Sequence, residues 1–252
     1  MVIFLNGKTN NNHCKKETKN RNQNKMKFKI KDHIKNGDIV VNIEETYPSF
    51  ILDMKRQKKY DENRFYEYIY RNKYSYILLH RTRLTDFEIN DIKTNGMSLG
   101  GKDVLIKKIK NLPACCDDIK PELLSHIYNL RQTRADEAIY SYFGNLHLAD
   151  DNENDKVFWN YWGGESIYTY YIDESTPQKK KIQERLQCQS KPCVIILRYP
   201  ADIEASLEQK NLYYRFMNEN ISNIVGSIWV ERIAPEVIDI VDLSEYSGLD
   251  FS

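Results

Sequence analysis

Nowhere in this 252-residue chain does an apolar run approach 18 positions, which excludes a membrane-spanning helix. Cysteine is scarce: there are five, no two stand as a CxxC pair, and the neighbours Cys115 and Cys116 make a poor disulfide framework. An odd count without an export signal predicts reduced thiols and a cytoplasmic location; the opening Met1–Leu5 run is too short for a signal-peptide core. The five histidines, His13, His33, His80, His126 and His147, lie far apart with no HExxH and no clustered Cys/His spacing, so no metal is expected. Glycine is equally sparse, at ten residues, and forms neither GxGxxG nor GxxxxGK[ST], which excludes a Rossmann dinucleotide site and a P-loop. No GxSxG elbow occurs. A Cys–His dyad through Cys115 or Cys116 has nothing in view to lower the thiol pKa. Collagen, coiled coil and disulfide miniprotein are excluded on the same grounds.

What is present is an ordinary globular composition with an uneven charge. The chain holds 37 Lys+Arg against 36 Asp+Glu, yet residues 1–36 carry nine Lys and one Arg against Glu17 and Asp32, a balance of +8. The remaining 37–252 therefore sum to −7. Residues 6–25 are Asn- and Lys-rich with almost nothing apolar; they cannot offset their ordering entropy and are expected to be disordered. Such an arm suits a nucleic acid or another acidic partner, and equally suits a solvated tail. Met26 is a second candidate start.

Beyond Met26 the patterns alternate between helix and strand. Asp38–Ile43 reads as a short strand, and Tyr60–Tyr74 sets Phe65, Tyr66, Ile69 and Tyr70 at helical spacing. Tyr76–Leu79 is a brief apolar run, a buried strand expected to end at His80. Thr85–Asn95 follows as a helix, with Thr85 at the N-cap, Glu88 completing a capping box and Gly96 as a stop. Val104–Lys110 fits either state, and Pro121–Gln132 reads as a helix. Ile139–Phe143 and Ser166–Ile172 are β-rich, and Pro177–Gln187 opens a helix on proline. Cys193–Tyr199, Ser227–Val230 and Val237–Val241 read as strands. These elements interleave without a βαβ rhythm, which makes the class α+β.

Two segments carry the chemistry. Leu78–Met97, LLHRTRLTDFEINDIKTNGM, places His80 at a strand end, Arg81 and Arg83 around Thr82, and then a capped helix. Phe158–Tyr171, FWNYWGGESIYTYY, is an aromatic turn, a glycine pair, then a strand containing Tyr168. Together they resemble the ADP-ribosyltransferase fold in its His-Tyr-Glu branch, to which diphtheria toxin and the poly(ADP-ribose) polymerases belong. His80, Thr82, Arg83, Asp86, Phe87 and the Gly96–Met97 end follow the order of that family's first motif. Arg81 stands where the family has glycine, and Asp86 where asparagine is common. Tyr168, the helix at Pro177–Gln187 and the strand Cys193–Tyr199 follow the order of the second motif. The resemblance covers about residues 76–243.

The resemblance implies a split, mixed β-sheet with peripheral helices, and NAD as co-substrate with no metal. It implies that His80 bonds a ribose hydroxyl, that the residues next to it hold the nicotinamide amide through the backbone, that Arg81, Thr82, Arg83 and Asp86 belong to the NAD site, and that Tyr168 stacks on the nicotinamide. Arg81's side chain would narrow the pocket, and Arg83 would meet the pyrophosphate. The family's glutamate has no counterpart at Val225–Ser227, where counting back from Pro235 would put it; Glu165, Glu219 and Glu231 are the candidates, in that order. Against this stands the plainer reading that His80 is an ordinary strand-end histidine and that at least two of Trp159, Trp162 and Tyr168 are core aromatics. The implied organisation is a basic arm over 1–36, a strand–helix extension over 37–75 and a catalytic domain over 76–252. The implied activity moves ADP-ribose to a protein or nucleic-acid acceptor, as a toxin of a toxin–antitoxin or anti-phage system with an antitoxin or immunity protein as partner. Two other readings stay open: a nucleic-acid-binding or ribonuclease-type toxin, and an inactive relative serving as an interaction module.

Overall fold

A computed structural model describes residues 26–99, 101–129, 139–143, 162–163, 176–201, 207–224, 226–230, 234–246 and 249–250. The segment 6–25 and the strand expected at Ser166–Ile172 lie outside the described residues.

The class is α+β with a mixed sheet. Its strands are β2 (Asp38–Ile39), β3 (Ser75–Leu84), β4 (Ile139–Phe143), β5 (Lys191–Pro200), β6 (Gly226–Val230) and β7 (Glu236–Asp242). They run in the order β6–β4–β3–β5–β7, antiparallel throughout, while β2 pairs parallel with the start of β3. A separate parallel pair joins β1 (Phe28–Lys29) to β8 (Leu249–Asp250).

The centre of the sheet is β3 against β5, ten residues in register from Ser75↔Pro200 to Leu84↔Lys191. Both strands are apolar at consecutive positions because both of their faces are covered. On one face, Tyr76, Leu78, Ile195 and Leu197 meet α1 (Ser49–Arg56), α2 (Glu62–Arg71) and α7 (Leu207–Asn218) through Ile51, Met54, Phe65, Ile69 and Phe216. On the other, Ile77, Leu79, Val194 and Ile196 meet Phe28, Ile30, Val40 and Leu249. Residues 37–75, set apart in the sequence reading as an extension, thus supply eight of the 23 buried residues of the larger core, and residues 26–36 contribute Phe28 and Ile30 to the core on the other face. A third cluster is helical: α4 (Lys102–Lys110), α5 (Lys120–Asn129) and α6 (Pro177–Cys188) bury Leu105, Ile109, Leu123, Ile127, Ile182 and Leu186 around Trp162.

Several local expectations are corrected. Tyr70 of α2 is 46% exposed: it falls a step outside the stripe of Phe65, Tyr66 and Ile69. The Asp38–Ile43 strand shrinks to two residues because Val40 leaves the ladder to bond Thr46, which receives its N–H at 3.0 Å. Most importantly, β3 does not end at His80. It continues to Leu84, since β5 offers a backbone partner at every position up to Lys191.

Candidate functional site

The extension of β3 decides where the predicted site residues point. Side chains alternate across a strand, so His80 and Thr82 share the face of Tyr76 and Leu78, while Arg81 and Arg83 share the face of Ile77 and Leu79. His80 is half-buried opposite Ile195. Arg81, 2% exposed, lies opposite Val194, so its side chain leaves the His80 face clear. A strand that stopped at His80 would have let all four residues serve one pocket; the continued strand distributes them over two.

Arg83 acts on a helix end. Its Nε donates to Ser190 Oγ at 3.1 Å, and its Nη2 donates to the carbonyls of Gln187 at 3.0 Å and Ser190 at 2.6 Å. These are groups at the C-terminus of α6, where a cation satisfies carbonyls that no longer have a helical partner. Burial lowers the guanidinium's pKa, and arginine remains charged regardless. The contacts expected of Arg83 with a pyrophosphate would compete with this bonding. Asp86, exposed at the first turn of α3 (Asp86–Asn95), pairs with Lys191 Nζ at 3.0 Å, which raises the lysine's pKa.

The capped helix forms as its sequence dictates. Thr85 Oγ1 accepts from Glu88 N, and Glu88 Oε2 accepts from Thr85 N at 2.9 Å, closing the capping box; Gly96 ends the helix at φ +77, a conformation that favours glycine. Glu88 does more than cap. It is 3% exposed, and the same Oε2 accepts from Thr85 Oγ1 at 2.9 Å and from Trp162 Nε1 at 2.7 Å, while Lys108 Nζ stands 3.1 Å from Oε1. Burial of a carboxylate is tolerated only with such compensation. The result joins the two segments that the sequence singled out: the His80 strand and its helix on one side, and the Trp162–Gly163 turn on the other. Trp162 is itself core, 1% exposed, as the plainer reading expected of the aromatics in this segment. Gly163 follows it with φ +92.

Of the remaining candidates, Tyr168, Glu165, Glu231 and Trp159 lie outside the described residues. Glu219 is exposed just past the end of α7, where Lys55 Nζ of α1 donates to its carbonyl at 2.7 Å and also to that of Phe216; its described partners belong to α1 and α7, not to β3. The two buried thiols do not compete for a nucleophile's role. Burial pushes Cys193, opposite Thr82, up to about 12, with Asp242's charge adding to the effect, and burial pushes Cys116 likewise up to about 12. Among the described residues no group of three His, Cys, Asp or Glu is placed to hold a metal, and no helix is long and apolar enough to cross a membrane.

The role of Glu88 as a junction is the feature that sequence reasoning missed. Its capping function was legible from the Thr-x-x-Glu spacing, but Trp162 lies 74 residues further along the chain. No family model matches the chain, and no curated protein or solved structure is similar to it.

Proposed function

We propose that this chain is an NAD-dependent ADP-ribosyltransferase whose fold is the split-sheet type of that family. The observation that carries the reading is the buried Trp162–Glu88 hydrogen bond. It ties the histidine strand and capped helix to the aromatic glycine turn, the two segments whose order resembles the family's motifs. Only two glycines separate Trp162 from Glu165 in the sequence, so an anchored indole is the natural means of steering that carboxylate.

The reaction breaks the N-glycosidic bond between nicotinamide and ribose, through a transition state with oxocarbenium character and neutral nicotinamide as leaving group. His80 bonds a ribose hydroxyl and holds the sugar. Tyr168 offers its ring to the cationic nicotinamide, a contact worth about 1–2 kcal/mol when desolvated. Glu165 opposes the positive charge that develops on ribose. The acceptor is a protein or nucleic-acid group, and the setting is a toxin countered by an antitoxin or immunity protein.

The test is incubation with labelled NAD and cell extract, following whether label enters protein, RNA or DNA, with Glu165→Gln, Glu219→Gln and Glu231→Gln beside the parent. Glu165→Gln should bind NAD nearly as well and turn it over about 10²–10³ times more slowly, equivalent to roughly 3–4 kcal/mol. A collapse at Glu219 instead would move the carboxylate to the end of α7. No NAD cleavage by the parent, with no NAD binding, would refute the proposal. One observation favours a second reading, an inactive relative acting as an interaction module: Arg83 already serves the end of α6. NAD binding without any transfer or hydrolysis would select it.

A further inference from the structure

Cys115 and Cys116 sit on the single 3-10 turn Ala114–Cys116, between α4 and α5. The turn is pinned from both sides. Cys116 N donates to Pro113 O at 2.8 Å and Asp117 N to Ala114 O at 3.1 Å. From α6, Arg185 donates to the Cys115 carbonyl at 3.4 Å and also bonds the Asp118 carboxylate. One thiol is exposed, and the other is buried in the helical cluster around Trp162. The two side chains are nevertheless in contact, through a hydrogen bond between the Cys116 thiol and Cys115. A soft electrophile arriving from solvent thus meets Cys115 first and finds a second sulfur beside it.

Geometry restricts what such a pair can take. Neighbouring Cα atoms across a trans peptide are about 3.8 Å apart, whereas disulfides span about 4.4–6.8 Å, so closing the pair on itself strains the turn. An atom inserted between the sulfurs widens the ring and relieves that strain. Among the described residues no group of three His, Cys, Asp or Glu could hold a metal. The pair therefore lacks the further ligands that zinc takes, and the third thiol that inorganic arsenite takes. A trivalent arsenical with one organic substituent needs only two. Burial, with the neighbouring Cys115 adding to it, pushes the Cys116 thiol up to about 12. That protects it from peroxides and alkylating agents, which react with thiolate. Condensation with an arsine oxide needs no thiolate beforehand, because the oxygen on arsenic carries both protons away. Once Cys115 is bound, the second bond forms within one molecule. We propose that Cys115 and Cys116 form a chelating site for a monosubstituted trivalent arsenical, R–As=O. Two S–H bonds and the As=O bond break, two As–S bonds form and one water leaves; nothing is oxidised or reduced. This inference does not depend on the catalytic reading.

The experiment uses the full, reduced chain and phenylarsine oxide. Intact mass should show one arsenical added per chain with loss of one water, and the count of free thiols after denaturation should fall by two. Excess 2-mercaptoethanol should leave the adduct in place, and 1,2-ethanedithiol, itself a chelator, should remove it. Cys115→Ser changes an exposed side chain, should leave the fold intact, and should weaken capture by about tenfold or more. Cys116→Ala should do the same, and Cys188→Ser should leave capture as it is. Removal of the adduct by the monothiol, capture that survives Cys115→Ser, or an equal loss in Cys188→Ser would overturn the proposal. So would loss of both thiols to diamide in the folded chain, which would make the pair a disulfide switch instead.

Discussion

Two buried ionic clusters in this molecule use charge to different ends. In the first, Arg198 of β5 donates from Nε to Asp38 Oδ1 at 2.7 Å and from Nη2 to Asp38 Oδ2 at 2.8 Å, while its Nη1 meets Glu236 Oε1 at 2.7 Å. Lys35 N adds a bond to Asp38 Oδ2 at 2.7 Å. One planar guanidinium thus joins β2, β5 and β7 through a two-pronged contact, with its charge answered on both sides. In the second, Glu88 gathers three donors on one oxygen, with Lys108 as its one cationic partner among the described residues. The first cluster closes the sheet. The second fastens a turn, Trp162–Gly163, to the capped helix. A clamp between strands should affect stability alone, whereas a fastener at the proposed site should affect turnover beyond its effect on stability.

Asp38→Asn probes that contrast most strongly. It leaves Arg198, only 10% exposed, without its bidentate partner, which should cost about 3–5 kcal/mol in urea unfolding. NAD turnover per folded molecule should be unchanged. A variant as stable as the parent would show that Glu236 alone compensates the arginine and would remove the contrast.

Trp162→Phe comes next. It keeps an aromatic ring in the helical core but deletes the N–H that Glu88 accepts, and should cost about 1.5–3 kcal/mol. Turnover by the folded fraction should fall while NAD affinity changes little. A loss of stability without any change in turnover would reduce the Glu88 cluster to a structural fastener and weaken the functional proposal.

Lys108→Met should cost less, about 1 kcal/mol, because Glu88 retains its three other donors and Lys108 is 27% exposed. An equilibrium unfolding curve checks it. A cost matching that of Asp38→Asn would mean that the lysine, not the hydrogen-bond donors, provides most of the compensation for burying this side chain.

The smallest effect is one of pH. Hydrogen bonding to Arg198 holds the Glu236 carboxyl below its ordinary 4.5. A carboxylate depressed in the folded state adds stability that is present above 4.5 and is lost as pH falls through the lower folded value. The parent and Glu236→Gln should therefore differ slightly in urea midpoint at neutral pH and converge in acid. A gap that widens as pH falls would contradict the assignment.

Local pattern made much of this legible. The capped helix α3 formed where Thr85, Glu88 and Gly96 marked it, because capping involves residues three apart and one glycine. Helix α6 began at Thr176–Pro177 for the same local reason. Helix α1 gave no such signal: Pro48 precedes it without a side-chain cap, and it is held by the core it covers. The end of β3 was misplaced for a related reason. His-Arg-Thr-Arg reads as a polar turn by itself, and only ten consecutive pairings with β5 keep it extended.

The amino-acid sequence by itself determined the α+β class, the helix boundaries that carry caps, and the two segments in which candidate chemistry is concentrated, since each depends on spacing within a few residues. Only the tertiary structure decided that Arg81 and His80 face opposite sides of the sheet, that Arg83 serves the end of α6, and that Glu88 reaches Trp162. Those outcomes depend on which strand offers β3 a partner and on which distant donor a buried carboxylate finds. Such contacts between residues tens of positions apart leave no periodic trace along the chain.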